Sequence, residues 1–288
     1  MERKSLLRIA IQKSGRLQEG SLALLKEAGL GFANGKGQLK TQTRNFPAEI
    51  LFLRDDDIPQ YIEDQVADIG MVGENVLLEK QRDVQMVKRL DFAKCRLSLA
   101  IPKAEEYKGI QSLQGKNIAT SYPNIVKAYL QQKNVQAGIH EISGSVEIAP
   151  GIGLADAIVD IVSTGSTLLS NGLKEVETVL QSEAVLVASP ALGREKQNIL
   201  EKLLFRIDAV NSAKNNKYIL LNCPNDAINK ITNVIPGMKS PTIMPLGREG
   251  WSSLHSVVNE NDFWNKIDQL KSLGAEGILV IPIEKMIA

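Results

Sequence analysis

An apolar, strand-like segment runs into a loop rich in hydroxyl groups between Asp160 and Thr167, where the sequence reads D-I-V-S-T-G-S-T. Four hydroxyl residues surround the single glycine, Gly165; they are Ser163, Thr164, Ser166 and Thr167. Such hydroxyls, with the free N–H groups of a following helix, bind phosphate, and glycine permits a close approach with positive φ. The loop therefore predicts a phosphate cradle. The alternative is a helix capped by Ser or Thr with no ligand.

Two acidic residues, Asp156 and Asp160, lie on the strand-like side of this loop. Carboxylates in such a position bind ribose hydroxyls or Mg²⁺, which prefers oxygen ligands. Asp160 is the first choice for both roles and the predicted metal ligand. Asp156 is the second choice for the ribose.

Other charged residues also follow predicted strands, where ligands collect in open α/β sheets. Lys13 and Arg16 follow the first strand and are expected to contact phosphate oxygens, although a solvated turn is the alternative. Glu74 opens a helix as either a cap or a ligand contact. Glu147 is either an anion beside a developing cationic sugar or an ordinary acid in a first helical turn.

The composition excludes several classes of protein. The 288 residues carry 34 basic and 33 acidic side chains, a net charge of +1, so no nucleic-acid partner is expected. The two cysteines lack the spacing of a zinc site. The apolar run at residues 6–11 is too short for a signal peptide or a membrane span. We therefore expect a cytoplasmic protein without a membrane partner.

The pattern of hydrophobic residues predicts an α/β fold with a separate tail. Strand-like and helix-like segments alternate through the first half, which favours a parallel or mixed sheet. Residues 177–188 fit either two strands or one long strand. Residues 218–281 follow the order β-α-β-β-α-β, which is typical of a ferredoxin-like domain.

The motifs together resemble the long form of the ATP phosphoribosyltransferase family over nearly the whole chain. They are Gln12–Leu17 (QKSGRL), Arg54–Pro59 (RDDDIP), Asp68–Asn75 (DIGMVGEN), Leu90–Ser98 (LDFAKCRLS), Ala119–Pro123 (ATSYP), Gly144–Pro150 (GSVEIAP), Asp160–Thr167, Ser240–Pro245 (SPTIMP) and Ile281–Met286 (IPIEKM). One departure concerns the loop: other phosphoribosyltransferases usually have two adjacent acids where this chain has Val159 and Asp160.

This resemblance implies a reaction and its partners. ATP and phosphoribosyl pyrophosphate would give phosphoribosyl-ATP and pyrophosphate, with Mg²⁺, in the first step of histidine biosynthesis. The C-terminal domain would bind histidine as a feedback inhibitor, with Asn222 and Thr242 placed to reach it. The chain would assemble as a homo-oligomer, from dimer to hexamer.

The resemblance also implies an architecture: a two-lobed catalytic region similar to periplasmic binding proteins, followed by a C-terminal ferredoxin-like (βαββαβ) regulatory domain. The expected domains are residues 1–95 with 186–212 for lobe I, 96–185 for lobe II and 213–288 for regulation. The chain would cross between the lobes near residues 90–100 and 185–195.

Two other functions fit parts of the sequence. A solute-binding protein is the rival from another class, because two lobes and Ala67–Gly70 suit it, whereas the extra tail domain argues against it. A phosphoribosyltransferase acting on another base is the nearer rival.

Overall fold

The computed structural model describes residues 5–33, 37–162 and 165–287. The strands in these ranges are β1 (Leu7–Gln12), β2 (Lys40–Gln42), β3 (Ala48–Leu53), β4 (Ile69–Gly73), β5 (Gln85–Arg89), β6 (Cys95–Pro102), β7 (Asn117–Thr120), β8 (Gly138–Glu141), β9 (Ala157–Val162), β10 (Leu173–Ser182), β11 (Ala184–Ala188), β12 (Asn216–Pro224), β13 (Thr242–Pro245), β14 (Trp251–Asn259) and β15 (Glu276–Pro282). The helices are α1 (Arg16–Glu27), α2 (Ile58–Glu63), α3 (Glu74–Lys80), α4 (Pro123–Gln132), α5 (Ser166–Ser170), α6 (Arg194–Lys214), α7 (Ile228–Val234) and α8 (Glu260–Ser272).

Two mixed sheets make up the region in which the sequence predicts two lobes. The first has the order β2-β3-β1-β4-β11-β5, with β1 parallel to both β3 and β4. The second has the order β10-β6-β9-β7-β8, with β7 parallel to both β8 and β9. Each sheet with its helices is one lobe, so the predicted two-lobed α/β fold is confirmed.

Hydrophobic residues explain why the central strands lie inside. In β1, Leu7, Ile9 and Ile11 are fully buried, and Ala10 on the opposite face is buried as well. Arg8, on the same face as Ala10, is exposed, so that face is apolar only at the centre of the strand. The parallel neighbours of β1 bring the carboxyl ends of three strands to one edge of the sheet, where polar side chains can meet.

The chain crosses between the two sheets at two places. It leaves the first sheet after β5, through residues 90–94, and it returns at Glu183, between β10 and β11. The return lies just before the predicted range of 185–195, because the apolar run from Ala184 already pairs with β4. The hydrophobic pattern of residues 177–188 did not show where one strand ends and the next begins.

The chain divides into two compact units, Met1–Ala23 with Leu30–Ile199 and Leu24–Gly29 with Leu200–Ala288. Both lobes belong to the first unit. The predicted domain boundaries at residues 95, 185 and 212 stay predictions. In the part of the chain that the structure describes, no helix combines the length and apolar character that a membrane crossing requires.

The second unit contains a four-stranded antiparallel sheet in the order β13-β14-β12-β15. With α7 and α8 this is the βαββαβ arrangement, so the predicted ferredoxin-like fold is confirmed. Ile219 and Leu221 of β12 pack with Leu254 of β14 and with Phe263 and Leu270 of α8 in one buried core.

Candidate functional site

A cleft with a volume of about 610 Å³ lies between the two lobes. Its walls come from the loops after β1, β3 and β4 in the first lobe and from β9 and the loop after it in the second. The carboxyl ends of strands are where α/β folds usually bind ligands. The predicted site residues that line the cleft are Arg16, Glu147, Asp160, Gly165, Ser166 and Thr167.

The turn after β1 places Arg16 in the cleft. Gly15 has a φ of +91°, which favours glycine, and its carbonyl accepts the Glu19 N–H at 3.1 Å as α1 begins. The backbone of Lys13 continues the hydrogen bonding between β1 and β3, because its N–H donates to the Leu53 carbonyl at 2.7 Å. Lys13 is not among the residues that line the cleft, so Arg16 alone of this pair is positioned there.

The loop after β9 forms part of the opposite wall. Gly165 has a φ of +80° and precedes α5, whose first two residues, Ser166 and Thr167, line the cleft. A Cβ at Gly165 would meet nothing closer than Val162 at 4.0 Å, so the backbone conformation rather than crowding calls for glycine. Ser163 and Thr164, which the sequence also predicts in the cradle, lie outside the described residues.

Asp160 and Glu147 are electrostatically coupled. Burial raises the pKa of Asp160 above its ordinary value, and repulsion from Glu147 raises it further. The Ile161 N–H, which donates to Asp160 Oδ1 at 2.8 Å, acts in the opposite direction. Glu147 itself lies in a short 3-10 turn after Ser145, a residue with positive φ. These carboxylates can accept hydrogen bonds from sugar hydroxyls or face a developing positive charge.

Two further predicted residues, Asp156 and Glu74, have partners outside the cleft lining. Asp156 precedes Asp160 by four residues, about 13 Å along an extended strand, and its Oδ2 accepts the Asn117 N–H at 2.8 Å. Glu74 is buried and forms a two-pronged ion pair with Arg89. Neither lines the cleft. A strand-to-helix turn does not reveal from sequence whether its acid faces a ligand or an internal cation.

The cleft also contains residues that were not singled out, among them Asp55, Asn75, Lys94 and Cys95. Asn75 is held by the Ser182 hydroxyl, which donates to its Oδ1 at 2.9 Å. For Asp55, burial raises the pKa, and repulsion from Asp56 adds to the effect. All four lie within motifs that carry the family resemblance, but membership of a motif does not by itself separate lining residues from their neighbours.

The predicted regulatory residues belong to the second unit. Thr242 of β13 pairs with His255 of β14, and Asn222 of β12 pairs with Ser253. Because 253 and 255 alternate onto one side of β14, both residues share the sheet face opposite the buried core. They lie two strands apart, about 10 Å across the sheet, and are offset by two residues, about 7 Å, along it. His255 on this face bonds to the Tyr218 hydroxyl at 2.7 Å.

Comparison with known proteins identifies the family. A family model described as ATP phosphoribosyltransferase matches residues 54–209, which is more than half of the chain. The chain belongs to the ATP phosphoribosyltransferase family. It is therefore an enzyme of histidine biosynthesis, as the resemblance predicted. A second model, described as the HisG C-terminal domain, matches residues 213–285.

Relatives in the family cover almost the whole chain. The ATP phosphoribosyltransferase of Cytophaga hutchinsonii is 61% identical over 283 residues, which are 98% of this chain and 99% of the relative. That of Bacteroides fragilis is 57% identical over 282 residues, covering 98% of this chain and all of the relative. The matches thus include the C-terminal domain as well as the two lobes.

Solved structures support the same fold. The Thermotoga maritima ATP phosphoribosyl transferase (HisG:HisZ) complex contains a chain 34% identical to this one, with a TM-score of 0.59, covering 70% of this chain and 98% of that chain. Tv2483 bound to L-arginine has a TM-score of 0.51 at 14% identity and covers 73% of this chain and 86% of that chain. The second likeness concerns the two-lobed fold alone.

Proposed function

We propose that this enzyme transfers the phosphoribosyl group of phosphoribosyl pyrophosphate to N1 of ATP. The N1–C1 bond forms, the bond from C1 to the pyrophosphate oxygen breaks, and pyrophosphate leaves. One observation carries the proposal: in this member of the family, two lobes contribute residues to one cleft. Those residues are Arg16, Glu147, Asp160 and residues 165–167. The adenine nitrogen is the nucleophile, so positioning and charge stabilisation are the tasks left to the protein.

Each wall of the cleft has its own role in this proposal. The 5'-phosphate binds at Gly165–Thr167, with Ser163 and Thr164 of the same loop as further expected contacts. Asp160 accepts hydrogen bonds from the ribose hydroxyls, and Glu147 lies near C1, where positive charge develops. Arg16 contacts phosphate oxygens, for which a guanidinium is well suited.

Mg²⁺ is the cofactor in this proposal. Among the residues that the structure describes, no group of three or more His, Cys, Asp or Glu side chains is arranged to hold a metal. Mg²⁺ that travels with phosphorylated substrates commonly takes one or two carboxylates and completes its shell with phosphates and water. Asp160, with Glu147 close enough to influence its pKa, fits that smaller donor set. The bound ion would supply neutralisation of the leaving pyrophosphate.

The C-terminal domain is proposed to carry feedback inhibition by histidine, in a homo-oligomer that ranges from dimer to hexamer. The supporting observation is the shared sheet face of Asn222 and Thr242, which offers an amide and a hydroxyl to a small polar ligand. Asn222→Ala should raise the histidine concentration for half-inhibition and leave the uninhibited rate unchanged. Equal inhibition of variant and wild type would contradict this assignment, and light scattering measures the oligomer in the same samples.

One assay tests the reaction. Purified enzyme with ATP, phosphoribosyl pyrophosphate and Mg²⁺ should release pyrophosphate, and omission of either substrate should abolish the release. A second set of reactions replaces ATP with other nucleotides and free bases. Faster release with one of these would favour a phosphoribosyltransferase of different specificity, and no release with any would favour a binding protein.

A further inference from the structure

The connector that leads from the first lobe into the second has an unusual backbone. Asp91 and Ala93 have φ values of +61° and +51°, in the left-handed region. Aspartate tolerates this region because its side chain bonds locally, whereas alanine has no such compensation. Strained residues of this kind persist where the surrounding structure fixes them, and they occur often at ligand clamps.

The surrounding structure does fix the connector. The Leu90 N–H donates to the Ala184 carbonyl at 2.9 Å, and the Ala184 N–H donates to the Phe92 carbonyl at 3.0 Å. The Asp91 N–H donates to Glu183 Oε2 at 3.1 Å. The outgoing connector is therefore bonded to the returning one, and the left-handed turn at Ala93 has a fixed direction.

A close side-chain contact ties the connector to helix α1 as well. A Cβ at Gly20 would lie 2.3 Å from Cδ2 of the Phe92 ring, so glycine is needed there for the ring to pack against the helix. The same helix begins with Arg16, which lines the cleft. The connector therefore packs against the helix whose first residue lines the cleft.

The fixed turn directs three successive residues, Ala93, Lys94 and Cys95, into the lining of the cleft. Among the described lining residues, the cationic side chains are those of Arg16 and Lys94. Three carboxylates, those of Asp55, Glu147 and Asp160, line the same cavity. The carboxylates outnumber the cations, and they repel the phosphates of an incoming substrate at short range. Each cation is therefore needed to bind phosphorylated substrates.

We infer that Lys94 is a further substrate-binding residue, whose ammonium binds phosphate oxygens of the polyphosphate groups. This inference rests on the proposed function for the identity of the substrates. In the free protein Lys94 is 67% exposed and pairs with Asp91 at 2.5 Å. An exposed ion pair contributes little, so a polyphosphate of higher charge can displace Asp91 from the ammonium. The pair meanwhile holds the side chain beside the cleft.

Three variants of the full-length enzyme test this role. Lys94→Met removes the charge and keeps the length of the side chain, and Lys94→Arg keeps the charge. Lys108→Met is the matched control, because Lys108 is 72% exposed, pairs with the nearby Glu106 at 3.2 Å and lies outside the cleft lining. Calorimetric titration with inorganic pyrophosphate gives Kd, and steady-state assays give the KM for each substrate.

Lys94→Met should raise the Kd for pyrophosphate by at least about fivefold, the usual scale for losing one charged hydrogen bond. Lys94→Arg should stay within about twofold of wild type, since the positive charge is kept and a guanidinium also binds phosphate oxygens. A rise in KM confined to phosphoribosyl pyrophosphate places Lys94 at the pyrophosphate, and a rise confined to ATP places it at the triphosphate. Lys94→Met values equal to those of Lys108→Met overturn the inference.

The titration separates this inference from the proposed function. If the wild-type enzyme does not turn over ATP and phosphoribosyl pyrophosphate, the proposed reaction is refuted. The Kd for pyrophosphate would still test the role of Lys94. Wild-type enzyme that turns over both substrates, with an unaffected Lys94→Met variant, would remove only the role of Lys94. Wild-type enzyme that does not bind pyrophosphate overturns the inference as well.

Discussion

Asp160→Asn should stabilise the free protein and slow the reaction. Asp160 lies on β9 in a half-buried position, where burial and the neighbouring Glu147 raise its pKa. An ionised carboxylate is therefore held at neutral pH in a place that disfavours its charge. Asparagine has the same shape and no charge, so it removes this cost, but it also removes the proposed acceptor for the ribose hydroxyls and the metal.

The sign of the pH dependence follows from proton linkage. A carboxyl with a raised pKa in the folded protein binds more protons when folded than when unfolded, so stability falls as pH rises from the ordinary pKa of 3.8 through the raised value. Above the raised pKa, the full free-energy cost of holding the ionised Asp160 carboxylate in the folded protein is present. Asp160→Asn should thus raise the free energy of unfolding by about 0.5–2 kcal/mol at neutral pH. The gain should vanish below about pH 3.5, where both states are protonated.

Thermal unfolding without substrates and without Mg²⁺ measures the stability change, because bound ligands would favour the ionised form. Asp160→Asn should raise Tm by about 1–5 °C at neutral pH. The pyrophosphate-release assay should show kcat/KM lowered at least about tenfold, or 1.4 kcal/mol of transition-state stabilisation. Asp156→Asn is the matched control near the same strand, since Asp156 bonds to the Asn117 N–H away from the cleft.

Two results would refute this reasoning. A lower Tm for Asp160→Asn at neutral pH would mean that the carboxylate stabilises the free protein. A kcat/KM within about threefold of wild type would mean that Asp160 is not needed for the reaction. Asp156→Asn should leave kcat/KM unchanged, and a large loss there would restore the role that the sequence gave it as second choice.

Three further variants have distinct expected outcomes. Glu147→Gln should lower kcat/KM more than about threefold, with Glu141→Gln as an exposed control in the same assay. Glu74→Gln should lower the free energy of unfolding by about 1–2 kcal/mol because Arg89 loses the closer of its two charged partners, Glu74 and Glu183; a raised KM without a stability loss would show that Glu74 does contact substrate. Gly165→Ala should cost about 1–2 kcal/mol for its left-handed backbone and raise the KM for phosphoribosyl pyrophosphate; an unchanged KM would contradict the phosphate cradle.

The fold is predictable from the sequence where the hydrophobic pattern fits only one arrangement of strands and helices. Strand-like and helix-like segments alternate through the first half of the chain, so a parallel or mixed sheet was predictable, and β1 and β3 pair in parallel within it. The run at 177–188 allowed two readings, because the break between β10 and β11 depends on pairing with two different sheets. Sheet membership is a long-range property, and local periodicity does not contain it.

The site was predictable to the extent that it follows strand ends. Arg16 follows β1 and Asp160 lies two residues before the end of β9, and the structure brings both to one cleft. Glu74 has the same kind of sequence position, but its side chain meets Arg89, a residue of another strand. Lys94 was missed because its placement depends on a left-handed alanine, and no residue type in the connector signals that conformation.

The cleft divides its charges in a way that suits the proposed reaction. Two of the three lining carboxylates, Glu147 and Asp160, come from the second lobe, whereas Arg16 comes from the first lobe, as does the third carboxylate, Asp55, and Lys94 comes from the connector. In glycosyl transfer, positive charge develops at C1 of the ribose while negative charge grows on the leaving pyrophosphate. A substrate held with its ribose toward the carboxylates and its pyrophosphate toward the two cations would have both charges stabilised by fixed groups, which need not reorganise during reaction.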